Sequence, residues 1–262
     1  ILMKLSVLTD NAAGAGFLAE HGLSYLVESG EKTVLFDTGS SDVFLKNAGK
    51  LGRDLQKEAD CIVLSHGHWD HGNGLKHMEN KPLYLHPQAL IKRYRKSDKS
   101  YVGLDHSESF LRNRFDLNFV TEPIPVTENL IFLGEIPRVT GFESVSTPFI
   151  DEQGEPDFLP DDSALVCTED DSLTIISGCA HSGIGNIVLH AIRITGIRQI
   201  NSVIGGFHLK YHNSQTRETI QLLKKLGVKQ LCPSHCTALQ ALMAFAGEWN
   251  IEQIKTGMEL EF

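Results

Sequence analysis

Apolar residues along this chain come in short bursts separated by Gly, Pro, Asn and Asp, the punctuation of strands and turns. KLSVLTDN (4–11) and LSYLVESG (23–30) alternate in part, and KTVLFDTG (32–39) is a β-rich run closed by Gly39. In SDVFLKNAG (41–49) the spacing of Val43, Phe44, Leu45 and Ala48 predicts a helix, capped by Ser40 or Ser41 and stopped at Gly49. CIVL (61–64) is continuous and apolar, the pattern of a strand covered on both faces, and LYLHP (83–87) reads as another strand.

Periodicity fades over residues 92–162, where six of the nine prolines fall between 123 and 160. That stretch predicts a lid or insertion built onto a rigid sandwich within a single domain, 1–262. Order returns with SALVCTED and SLTIISG as strands, GNIVLHAIRITG (185–196) as a helix, INSVIGG as a strand and TRETIQLLKKLG (216–227) as an amphipathic helix. KQLCPSHC, the helix TALQALMAFAG and a last strand in IKTGMELEF follow. Strands mixed with helices through both halves predict an α/β fold of two sheets with helices outside.

Composition narrows the partners. With 24 basic and 33 acidic residues the net charge is −9, which argues against nucleic acid held over a broad surface. No apolar run approaches the roughly 18 residues of a membrane span. The N-terminal apolar stretch is too brief for a signal peptide, and Ile1 and Leu2 ahead of Met3 read as added residues. Five cysteines, an odd number, predict no disulfide framework and fit a reducing cytosol. The expectation is a soluble, cytoplasmic protein acting on a small molecule.

Its chemistry is concentrated in LSHGHWDHGNG (64–74), where His66, His68, Asp70 and His71 follow the CIVL run. Two imidazoles at i and i+2 can face one ion when the loop turns tightly, which Gly67 permits. Asp70 and His71 then face a neighbouring position and could hold a second ion. Nitrogen and oxygen donors without thiolate suit zinc, with manganese or iron as alternatives. Further ligands are needed, and His181, His208 and His235 each follow a β-rich apolar segment, at equal intervals about one strand–helix unit long. Three strands would then bring three imidazoles to one sheet edge. His21, in AEHGLS beside a predicted strand, is a further site candidate by analogy. His77, His86, His106, His190 and His212 lack such a context and are expected mostly on the surface or on helix faces.

FDTG (36–39), HGHWDH (66–71), SGCAH (177–181) and PSHC (233–236) occur in order. With LAEHGLS, LFDTGSS, IPRVTGFE, PDDSALV, SGCAHSGIGN, GGFHL and HCTA, the chain resembles the metallo-β-lactamase-fold superfamily. The branch it resembles contains the archaeal dihydropterin–ribofuranosylaminobenzene 5′-phosphate synthase and bacterial metal-dependent hydrolases of unsettled substrate. The resemblance spans nearly the whole chain and is loosest over 92–135. It implies a four-layer αββα sandwich, a first metal site of His66, His68 and His181, and a second of Asp70, His71 and His235. Asp37 would hydrogen-bond a ligand histidine and fix its orientation. The family's fourth motif usually supplies an aspartate that bridges both ions, whereas GGFHL offers only His208. A histidine neither bridges nor brings negative charge, so two ions ~3.5–4 Å apart would rely on hydroxide or substrate oxygens.

The chemistry implied is hydrolysis of an ester, thioester, phosphoester or lactam by metal-activated water. Asp70 would act as ligand and proton acceptor, and His208 or His21 would protonate the leaving group. Flavo-diiron proteins of this fold carry Glu where this chain has His68, which favours Lewis-acid over oxygen-reducing chemistry. An alternative is a transferase that displaces diphosphate from a pterin-type substrate. Lys92, Arg93, Arg95, Lys96 and Lys99, crowded at the start of the lid, would then bind phosphate, the plain alternative being a solvated basic helix face. A third reading is a non-enzymatic metal- or redox-responsive protein. It rests on Cys61, Cys179, Cys232 and Cys236, close in sequence to the presumed ligands, whose default reading is small apolar packing.

Overall fold

In the computed structural model, which describes residues 3–262, the opening bursts become β1 (Lys4–Thr9), β2 (Ser24–Ser29) and β3 (Lys32–Phe36), antiparallel neighbours. Ile1 and Leu2, read above as added residues, lie outside the described residues. Helix α1 (Val43–Lys50) and the short α2 (Leu55–Glu58) return the chain to β4 (Cys61–Val63), which lies parallel to β3. The histidine turn contains one helical turn, α3 (Trp69–Gly72), and leads to β5 (Pro82–Leu85), parallel to β4. The middle of the chain forms β6 (Arg93–Arg95), α4 (Glu108–Arg114), β7 (Asp116–Phe119), β8 (Ile124–Pro125), β9 (Leu130–Phe132) and β10 (Phe149–Asp151). A hairpin follows, β11 (Ala164–Glu169) with β12 (Ser172–Ser177). Then come α5 (Ile184–Thr195), β13 (Gln199–Gly206), α6 (Ser214–Lys225), β14 (Gln230–Ser234), α7 (Leu239–Ala246) and β15 (Glu259–Glu261).

One sheet has seven strands in the order β15-β1-β2-β3-β4-β5-β7, and the other has six in the order β14-β13-β12-β11-β9-β8. Three apolar layers hold them in a stack. Between the sheets, Val7, Tyr25, Val27, Val34 and Phe36 meet Phe132, Leu165, Ile176 and Ile204. On the outer face of the first sheet, Leu26, Leu35, Ile62 and Leu83 pack under Phe44 and Ala48 of α1 and Leu111 of α4. On the outer face of the second, Val166, Ile175 and Val203 pack under Ile187 and Val188 of α5, Leu223 of α6 and Phe245 of α7. The architecture is therefore α/β, a four-layer αββα sandwich. Both faces of each sheet are covered, so Tyr25 and Val27 point one way and Leu26 the other, yet all three are apolar. That is why the strands read as runs with only partial alternation.

The expectation of a lid over the whole of 92–162 is too wide. β7 is the edge strand of the first sheet, paired with β5, and β9 pairs with β11 in the second. Only the two-stranded ribbon β6–β10 and its flanking loops stand apart from the sheets. The basic run at 92–99 is no helix face either, since Arg93–Arg95 is a strand of that ribbon. Among the described residues no helix is long and apolar enough to cross a membrane.

β3, β4, β5 and β7 form one parallel run, and β12, β13 and β14 form another. Loops after the carboxyl ends of such strands are where an α/β sheet places its ligands. Here the loops after β3, β4, β12, β13 and β14 carry Asp37, the histidine turn, His181, His208 and His235.

Candidate metal centre

Asp37 leaves β3 with φ 58°, in the left-handed region, held by a bond from its own amide to the Val63 carbonyl at 2.9 Å. Its Oδ1 accepts the Ser65 amide at 2.7 Å, and its Oδ2 accepts the Ser65 hydroxyl at 2.7 Å and faces His71 Nδ1 at 2.7 Å. Ser65 Oγ gives its proton to Asp37, so it accepts from His66 Nδ1, 2.9 Å away. One buried carboxylate thus orients two imidazoles and turns the Nε2 of each inward. His235 is oriented in the same way, with Nδ1 2.9 Å from Asn11 Oδ1 and its backbone amide donating to Asp10 Oδ2 at 3.2 Å.

The inward nitrogens converge. His66 Nε2 is 3.0 Å from His68 Nδ1, and the His181 ring centroid is 4.8 Å from each of those rings. His71 Nε2 is 3.1 Å from His235 Nε2, with Asp70 Oδ2 3.4 Å from the latter. Ligand atoms of His66, His68 and His181 lie within 4.8 Å of one another, and so do those of Asp70, His71 and His235. Nitrogens packed this closely, with His68 Nε2 and His181 Nε2 buried and unpartnered, are a donor arrangement that a divalent cation fits.

The electrostatics agree. Burial holds His66, His68 and His181 well below the usual histidine range, so all three are neutral. Burial would raise Asp70, but the His71 charge and hydrogen bonds from His21 and His235 outweigh it and hold it well below the usual carboxylate range. Burial would lower His71, yet the Asp37 and Asp70 carboxylates push it up to about 9. An ion at that set would take the place of a proton already drawn there by two negative charges.

Gly67 serves the turn through space and not through backbone freedom, since its φ is not positive and a Cβ there would come 1.9 Å from the Ala89 carbonyl oxygen. The ligand loops are also strained, with Ala180, His208 and His235 at φ 52°, 50° and 49°. Such conformations persist only where the surroundings impose them.

A cavity of about 890 Å³ opens over the cluster. Trp69, Val102, Phe149, Tyr211 and Leu239 give it an apolar wall, Arg95 and Lys210 lie at it, and His21 and His208 line it. His21 Nε2 is 3.3 Å from Asp70 Oδ2, while the His208 ring lies tilted against His181, 4.2 Å centroid to centroid. Lys92 and Arg93, expected to bind substrate, do not line the cavity. Lys92 pairs on the surface with Glu152 at 2.7 Å. Arg93 is fully buried, its guanidinium spanning Asp157 at 3.0 Å and Asp161 at 2.9 Å. Of the five cations in that run only Arg95 lines the cavity. His86 and His190, expected on the surface or a helix face, are buried, the first accepting from Gln88 N and the second bonding the Leu133 carbonyl. Cys61, Cys167 and Cys232 pack in the inter-sheet core, as small apolar residues do.

Sequence reasoning passed over Asn11, which donates to His21 Nδ1 and accepts at His235, and Ser65, which joins Asp37 to His66. It also passed over Asp161 and Asp162. Asp161 Oδ2 accepts the Gly67 amide at 2.7 Å, and Asp162 Oδ2 accepts the Ser182 amide at 2.9 Å. The signal lay in TDN at a strand end and in the consecutive carboxylates of PDDS.

Comparison with known proteins gives one family. The family model of the metallo-beta-lactamase superfamily matches residues 19–235. An uncharacterised protein of Methanocaldococcus jannaschii, MJ0448, is 32% identical over 245 residues, covering 91% of this chain and 92% of that one. The 7,8-dihydropterin-6-methyl-4-(beta-D-ribofuranosyl)-aminobenzene-5′-phosphate synthase of the same organism is 32% identical over 287 residues, covering 99% and 97%. The crystal structure of Tm1679, described as a metal-dependent hydrolase of the beta-lactamase superfamily, superposes with a TM-score of 0.88 at 35% identity, covering 99% of each chain.

Proposed function

The chain belongs to the metallo-beta-lactamase superfamily, and from that premise we propose that it is a metal-dependent hydrolase of a small anionic ester or phosphoester. The observation that carries this reading is the convergence of two donor sets, His66–His68–His181 and Asp70–His71–His235, at the floor of one cavity. A divalent ion held there, zinc first and manganese or iron as alternatives, supplies Lewis acidity, lowering the pKa of water and polarising the oxygen under attack.

The chain's own groups do the rest. Asp70 stays a carboxylate under its three histidine partners, which suits it to be a ligand and to accept a proton. His21, half exposed and hydrogen-bonded to Asp70, is placed to pass that proton to a leaving group in the cavity. His208 lines the same space and is the second candidate donor. Arg95 and Lys210 attract an anionic substrate, and Trp69, Phe149 and Tyr211 favour a flat apolar part.

Removing metal with a chelator is expected to abolish hydrolysis of a phosphoester or ester panel, and zinc or manganese to restore it. Hydrolysis that persists in metal-free protein refutes the reading. A second reading, transfer with displacement of diphosphate from a pterin-type substrate, is favoured by the synthase among the relatives and by the two cations at the cavity. Product analysis separates the two: coupling to an arylamine acceptor supports transfer, and release by water alone supports hydrolysis.

A further inference from the structure

The two donor sets hold a single carboxylate, Asp70, and the buried Asp37 lies behind His71, so two divalent ions there would have one anionic donor in contact. A thiol stands between the sets, buried and neutral, and would supply a second anionic donor on losing its proton to an ion. The Cys179 sulfur lies within 4.8 Å of the ligand atoms of both His66, from the first set, and His71, from the second. It is 3.2 Å from His71 Nε2. On its other side Cys179, His208 and Cys236 bring their ligand atoms within 4.8 Å of one another. The His208 amide donates to Cys236 Sγ at 3.2 Å, and His208 Nδ1 is buried without a partner. Cys179 is a buried residue and Cys236 a half-buried one; both line the cavity, and neither belongs to the apolar clusters that hold Cys61, Cys167 and Cys232.

We propose that Cys179 is a thiolate ligand shared by the two histidine sets, and that His208 and Cys236 complete its donors on the cavity side. The inference rests on the metal-centre reading above. On binding, the thiol S–H bond is replaced by a sulfur–metal bond, the electron pair stays on sulfur and the proton leaves to solvent, so no oxidant or reductant takes part. A thiolate carries the charge that imidazole lacks and can contact two ions. It also selects for softer cations, zinc or cobalt ahead of manganese or magnesium.

Cobalt(II) loading of metal-free protein tests this apart from activity. Visible ligand-field bands report that an ion is bound, and near-ultraviolet thiolate-to-cobalt absorption reports sulfur. Wild-type protein should show both, Cys179→Ser should keep the visible bands and lose most of the near-ultraviolet one, and Cys236→Ser should weaken it. Should Cys179→Ser fail to fold, the band surviving in Cys236→Ser assigns it to Cys179, the other thiol lining the cavity. Visible bands without sulfur absorption in wild-type protein overturn the proposal and leave the hydrolase reading standing. A Cys179–Cys236 disulfide in the purified protein, seen by mass, overturns it too. Absence of any bound cobalt overturns both.

Discussion

Asp37 accepts hydrogen bonds from the Ser65 amide, the Ser65 hydroxyl and His71 Nδ1, and has no exposed surface. An amide of the same shape presents a donor at one end, so Asp37→Asn sets two donors face to face. The expected result is a fold that circular dichroism scores as native, with metal affinity down roughly 10–100-fold, measured by competition with a chromophoric chelator. Unchanged affinity would mean that His66 and His71 are held by something else. At this scale the sequence was most informative about candidate ligands and least about what orients them. His66, His68, Asp70 and His71 announce themselves as a cluster after an apolar run, and Asp37 followed from family resemblance. Asn11 and Ser65 were silent, because a residue that orients an imidazole across 224 positions, as Asn11 does for His235, leaves no local pattern.

The segment after β10 acts on the site as an element. Asp161 grips the backbone between His66 and His68 through Gly67, Asp162 grips the residue after His181, and the Ser163 amide bonds the Ser65 carbonyl at 3.0 Å. Two consecutive carboxylates thus tie both loops of the first donor set to one strand end, and Arg93 ties Asp161 to the ribbon. Asp161→Ala removes that guanidinium's bidentate partner but leaves Asp157 beside it, so the cost should fall below the ~3–5 kcal/mol of stranding a buried charge alone. The urea midpoint should fall accordingly with its slope unchanged, and the cobalt spectrum of the first set should change shape. Lys92→Ala, at an exposed pair, should leave the midpoint where it is. Element order and layers were legible because long helices and covered strands obey period and length. The middle third was not, because β7, β8 and β9 are short, Pro125 falls within β8, and β7 and β9 are fixed by pairing with β5 and β11, distant in sequence.

Across the whole molecule, each donor set draws on both sheets. His66 and His68 follow β4 of the first sheet and His181 follows β12 of the second, and the other set likewise joins the first sheet to the loop after β14. An ion in either set therefore links the sheets at the strand ends that carry the loops. The complete sets exist only in the native form, so an ion at 100 times its dissociation constant adds up to about 2.7 kcal/mol, less whatever the unfolded chain's own histidines bind. Calorimetry should show Tm rising with metal concentration and dropping on chelation; a Tm indifferent to metal would mean that no ion binds the native form in preference to the unfolded chain. The same division has a temporal side. His71 and His235 stand 164 residues apart in the chain, which at ~5–20 residues per second is roughly 8–30 s of synthesis. For that interval the nascent protein presents the HxHxDH turn as an open, partial chelator, and it becomes a closed site only once the last ligand loop has left the ribosome.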